Sequence, residues 1–153
     1  MKQADSFKKA FISLLYLSGL YSKSKKRKNY KSIFDKAKTL LEEEREYLDE
    51  NLTITKLSRK AGTNRTYLSR AFSESGMNFI EYVNDLRVRN IKRVIDENVK
   101  SGKVFTCEEL AIIGGFGSMR AMVRNFKKKE GLTPSCYMKQ KIANCKREIT
   151  PQQ

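Results

Sequence analysis

Residues 62–82 read GTNRTYLSRAFSESGMNFIEY and residues 115–137 read GFGSMRAMVRNFKKKEGLTPSCY, so the chain states one pattern twice. Each stretch runs from a glycine through a hydrophobic–x–Arg–x–Phe cluster to a second glycine, with a tyrosine six positions further on. One such signature is weak, because many helical hairpins contain a glycine. Two in register constrain the fold strongly.

With Leu57 aligned on Leu110, Thr53 falls on Thr106, Ser58 on Ala111, Ala61 on Gly114 and Gly62 on Gly115. Thr53 and Thr106 are placed as N-caps, each hydroxyl accepting from a free backbone N–H of the first turn. Glu109 completes a capping box in the second copy; Lys56 stands there in the first. Gly62 and Gly115 close a short helix through the left-handed turn that glycine enters cheaply. A second helix opens after each, capped by Asn64 and by Ser118, and Leu68 pairs with Met122, Arg70 with Arg124 and Phe72 with Phe126. The interval from glycine to phenylalanine is ten positions in the first copy and eleven in the second, so one turn is a residue longer. Gly76 matches Gly131, Asn78 and Thr133 are the next caps, and Pro134 takes the first helical position where Phe79 stands.

Helix, glycine turn, helix is a helix-turn-helix. The expected fold is therefore all-α: a first helix-turn-helix over 53–76, a linker helix over 79–95, a second over 106–131, a C-terminal helix over 134–142 and a tail over 143–153. FIEYVNDLRVRNIKRVI sets Phe79, Tyr82, Val83, Leu86, Val94 and Ile95 on one face, with Ile91 near it. Such a helix is a rigid spacer, which matters because two reading helices enter major-groove segments roughly 34 Å apart. By spacing, Leu57, Leu68, Phe72, Leu110, Met122 and Phe126 are core.

The charge names the partner class. A net charge of +15, from 32 Lys+Arg against 17 Asp+Glu, with a pI near 9.8, points to a polyanion, nucleic acid before a membrane surface. There is no histidine, which removes Ser–His–Asp and Cys–His catalysis and every His-based metal site. Cys107, Cys136 and Cys145 are odd in number and lack C-x-x-C spacing, so they read as reduced thiols of a cytoplasmic protein. The acidic residues are scattered and no Gly-rich phosphate loop occurs, so no enzyme, metal or cofactor is expected.

Residues 1–32 are expected as an apolar helix and basic linker, ahead of a domain over 33–142. AFISLLYLSGLY (10–21) is too short for the roughly 17–25 residues of a membrane span. It reads as a buried or partner-seeking helix, with residues 7–21 open to a homodimer or a sensor partner. The segment SKSKKRKNYK behind it fits either a membrane flank or an arm gripping phosphates. Ile33, Phe34, Ala37, Leu41, Glu44 and Leu48 predict one helix over 33–50, with the acids of EEEREY turned to solvent or a partner.

At residues 51–142 the chain resembles the DNA-binding domain of AraC/XylS-type transcriptional regulators. The second copy, GFGSMRAMVRNFKKKEGLTP followed by Tyr137, follows that family's signature, with Met122 where an aromatic residue or Leu is usual. The resemblance implies seven helices in two helix-turn-helix subdomains, binding to double-stranded promoter DNA, and activation through RNA polymerase. Carried over by position, the base-reading candidates are Arg65, Thr66, Ser69 and Arg70 in the first unit and Ser118, Met119, Arg120, Val123 and Arg124 in the second. Arginine suits a bidentate grip on guanine, and Thr or Val methyls suit the thymine methyl; Arg70 and Arg124 equally suit phosphates. Lys56, Lys60, Thr53, Thr106, Lys127, Lys128 and Lys129 are the phosphate candidates. The alternatives are a non-specific DNA binder, or a protein-interaction module such as the cytoplasmic output domain of a larger membrane-linked sensor. Many family members carry a ligand-binding or dimerising domain ahead of this one, for which about 50 residues leave no room. The expectation is therefore a protein that acts without an effector, one regulated elsewhere, or the tail of something longer.

Overall fold

The computed structural model describes residues 29–99 and 101–149. The apolar stretch 7–21 and most of the basic segment behind it lie outside the described residues. Within them run seven α-helices and no strand: α1 (Tyr30–Glu42), α2 (Ile54–Lys60), α3 (Arg65–Glu74), α4 (Phe79–Val99), α5 (Cys107–Ile113), α6 (Met119–Glu130) and α7 (Pro134–Ile149). A single 3-10 turn (Glu46–Leu48) joins α1 to α2. The all-α expectation holds.

Each short helix starts on a side-chain cap. Thr53 Oγ1 accepts from the Lys56 N–H, Asn64 Oδ1 from Tyr67, and Ser118 Oγ from Ala121. At α5 the bonding is reciprocal: Thr106 Oγ1 accepts from the Glu109 N–H at 3.1 Å and the Glu109 carboxylate accepts from the Thr106 N–H at 2.8 Å. Two orphan donors are satisfied there, against one at Thr53. Glu109→Ala removes the second of these bonds and leaves the Thr106 cap in place, so it should cost about 0.5–1.5 kcal/mol in a urea melt. No loss would show that the Glu109 bond contributes nothing.

The core has two lobes on one rod. Ala37, Leu40, Leu41, Tyr47, Leu57, Ala61, Leu68 and Phe72 form the first, with Val83 and Leu86 from α4. Phe105, Leu110, Ala111, Phe116, Met122, Phe126, Tyr137 and Met138 form the second, with Val88, Ile91 and Ile95 from α4. The rings of Phe34, Phe79 and Tyr82 pack around Phe72 with centroids 5.2–5.9 Å away, the edge-to-face spacing that aromatic quadrupoles favour. α4 thus serves both units in sequence; at 1.5 Å per residue its 21 residues span about 31 Å.

The N-terminal helix departs from expectation. It does not run over 33–50: it starts at Tyr30, ends at Glu42, and the backbone reverses at Arg45, the one described non-glycine residue with positive φ (57°). The reason lies on α4, where Arg87 donates to the carbonyls of Tyr47 and Asp49. In a helix over 33–50 those carbonyls would lie in the last turn without intrahelical partners; the turn at Arg45 brings them to the Arg87 donors instead. The acids divide accordingly: Glu42 accepts from the Tyr82 hydroxyl and Glu46 pairs with Lys60, while Glu43 and Glu44 stay exposed. At the other end α7 continues to Ile149, so residues 143–149, expected as tail, are helical.

Candidate nucleic-acid interface

The second helix of each unit, α3 and α6, presents its cations outward because its apolar residues are consumed by the core. On α3, Leu68, Ala71 and Phe72 are buried, and Arg65, Thr66, Ser69 and Arg70 all lie exposed on the opposite side. Spacings of three to five residues put these four on one face. On α6, Met122 and Phe126 are buried and Met119, Arg120 and Arg124 are exposed beside the Ser118 cap. Val123 is half-buried and packs against the second core, because it sits one position from Met122 on the flank of the stripe. Ser118 keeps its hydroxyl proton free to donate, since the cap uses the oxygen as acceptor.

Arg70 has a neighbour that sequence reasoning missed. The Tyr30 phenol hydrogen-bonds its guanidinium and raises its pKa above the ordinary arginine value, with the charge interaction with Tyr30 adding to this. Tyr30 also faces Tyr67 with ring centroids 6.4 Å apart, so the start of α1 lies along α3. Nothing local in the sequence signalled this, because Tyr30 reads as part of the basic segment.

The phosphate candidates separate into two kinds. Lys56 pairs with Asp49 at 3.3 Å, Lys60 with Glu46, Lys128 with Glu81 at 3.1 Å and Lys129 with Asp85. Lys127 has no acidic partner among the described residues. Burial raises the Asp85 pKa, but hydrogen bonds from Lys129 and Arg89 outweigh it and hold the carboxyl below its ordinary value. The Thr53 and Thr106 hydroxyl oxygens accept in the caps, as that of Ser118 does, and keep their protons to donate.

The Lys128–Glu81, Lys129–Asp85 and Lys92–Glu130 pairs all tie α6 to α4. Beside them lies an open cleft of about 470 Å³ lined by Met77, Asn78, Tyr82, Val88 and Asn125. Among the described residues no group of His, Cys, Asp or Glu side chains is placed to hold a metal ion, and no helix is long and apolar enough to cross a membrane.

Two units that share a linker helix, each with exposed arginines on its second helix, define a tandem helix-turn-helix domain of the DNA-binding class. The family model for a helix-turn-helix domain matches residues 57–140, more than half of the chain, and the chain belongs to this AraC-type helix-turn-helix family of DNA-binding transcriptional regulators. It is similar to the uncharacterized HTH-type transcriptional regulator YtdP of Bacillus subtilis, 32% identical over 113 residues, which is 73% of this chain. The chain spans only 14% of that relative's length. Among solved structures, the C-terminal domain of the two-component response regulator yesN from Fusobacterium nucleatum is 28% identical with a TM-score of 0.57, covering 67% of this chain and 97% of that one. The DNA-binding domain of the global transcriptional factor AdpA, solved in complex with a target DNA, shares the fold at 22% identity and a TM-score of 0.58, covering 74% of this chain and 95% of that one.

Proposed function

We propose that this chain is a sequence-specific regulator of transcription that reads two adjacent major-groove segments, one with α3 and one with α6. The observation that carries the reading is the matched exposure of Arg65 and Arg70 on α3 and of Arg120 and Arg124 on α6, in two units whose cores are completed by one shared helix. The AdpA domain of the same fold was solved on its target DNA, which supports the same kind of partner here. Arg65 and Arg120, without an acidic partner among the described residues, are the proposed guanine readers, and Lys127 is a phosphate contact. On this reading the domain works in the cytoplasm, performs no catalysis, and activates transcription through RNA polymerase, as the family resemblance implies.

In-vitro selection from random duplexes at near-physiological salt tests it. The expected result is a bipartite motif with half-sites about ten base pairs apart. A single short motif would leave one unit reading, and an absence of enrichment would sink sequence-specific recognition. Arg120→Ala should lose about 1–3 kcal/mol of discrimination at one base position. If all sequences weaken equally, Arg120 holds a phosphate instead. A reporter with the selected site upstream of a weak promoter decides the sign of regulation.

A further inference from the structure

Arg87 occupies the point where α4 changes hands: Val83 and Leu86 before it face the first core, and Val88 and Ile91 after it face the second. It is 8% exposed. Placing a cation there is costly unless its donors are used. Its Nε donates to the Tyr47 carbonyl at 2.7 Å, its Nη2 to the Asp49 carbonyl at 2.8 Å, and its guanidinium lies 5.4 Å from the centre of the Phe116 ring. One side chain thus holds residues 47–49 from one side and meets the turn of the second unit on the other.

The segment Arg45–Glu50 touches everything around it. Arg45 donates to Asn90 Oδ1 at 3.2 Å, and Asn90 in turn donates to the Ile113 carbonyl at 2.8 Å, at the end of α5. Glu46 and Asp49 pair with Lys60 and Lys56 of α2. The Leu48 backbone lies so close to Gly115 that a Cβ there would come within 2.5 Å of the Leu48 carbonyl oxygen. This segment precedes the stretch matched by the family model, yet it contacts the first unit, the linker and the turn of the second.

We propose that residues 45–50, pinned by Arg87 and seated on Gly115, form a strap that fixes the distance between α3 and α6, and that Arg87 is thereby the positioning residue that sets the spacing of the two half-sites. The inference rests on the bipartite reading proposed above. The two cores meet at Arg87, between Leu86 and Val88, and the strap touches both sides of that junction, which supplies lateral bracing. Without it the second unit can pivot about the middle of α4, and several spacings become acceptable.

The test uses the full chain with Arg87→Met, which keeps the bulk and removes the donors. Arg87→Lys, which keeps the charge, serves if the first variant fails to fold. Spin labels at Ser73→Cys and Glu108→Cys, with Cys107, Cys136 and Cys145 replaced by Ser, report the distance between units without DNA. The parent should show one narrow distance, and the Arg87 variant should lose it. Duplexes carrying both selected half-sites, with the spacer varied one base pair at a time, supply the second readout. The parent should prefer one spacing; the variant should lose that preference while binding an isolated half-site as tightly as the parent. If the variant only melts at a lower temperature, with distance and spacing preference intact, Arg87 is merely structural and the proposal falls. A parent indifferent to spacing would instead overturn the bipartite reading, and the label distance alone would then decide whether the strap holds the units.

Discussion

Gly115→Ala is expected to destabilise the domain by about 2–5 kcal/mol, well beyond the about 1–2 kcal/mol expected for Gly62→Ala. The two glycines are the same position of the repeat and have the same backbone, with φ of 69° and 68°. A side chain at either must enter the left-handed region, which accounts for the smaller figure. At Gly62 that is the whole cost, because a Cβ would meet only the Lys36 ammonium at an ordinary 3.5 Å. At Gly115 the same atom would lie 2.5–2.8 Å from the Leu48 oxygen, Cα and carbonyl carbon. Backbone cannot rotate away as a side chain can, and Arg87 holds its neighbours on both sides. Urea unfolding of both variants checks this. Similar losses would mean that Leu48 yields freely, and the bracing role of its segment would be untenable.

Raising salt from 50 to 200 mM should weaken DNA binding by about a thousandfold if six phosphates are neutralised. Not every lysine contributes equally. Lys127→Ala should reduce the slope of log affinity against log salt by about one. Lys60→Ala should change it far less: when Lys60 leaves Glu46 for a phosphate, DNA releases one cation and the freed carboxylate recruits another. Glu46→Gln removes that compensation, so its slope should be steeper than the parent's by up to about one. Fluorescence titrations at several salt concentrations measure all four proteins. A parent whose affinity is flat in salt would contradict DNA as the partner.

The parts of the fold governed by neighbours in sequence were legible without coordinates. Caps at Thr53, Asn64, Thr106 and Ser118, the glycine turns, and the buried Leu57, Leu68, Phe72, Leu110, Met122 and Phe126 all follow from spacing and local backbone chemistry. What escaped depended on distant partners. The turn after Glu42 is held by an arginine about 40 residues from the carbonyls it meets. The Lys128–Glu81 pair spans 47 residues, and no periodicity reveals it. Val123 was assigned by its place in a motif, whereas its neighbours in the second core decide its exposure. Tyr30 reaches Arg70 only because α1 lies along α3.

Duplicated units invite treatment as interchangeable cassettes, and the linker helix forbids it here. Ala61 carries a methyl group into the first core, and its counterpart is Gly114. A methyl at 114 would come within 2.6 Å of Ile91 Cδ1 and 2.9 Å of its Cγ1. A synthetic chain with the first unit copied into both places would meet that collision, as well as an interval one residue too short before the second reading helix. The halves have become left and right parts, each shaped to its own end of one rod. Anyone recombining such domains to build new binding proteins must therefore exchange the second unit together with the middle of the helix on which it rests.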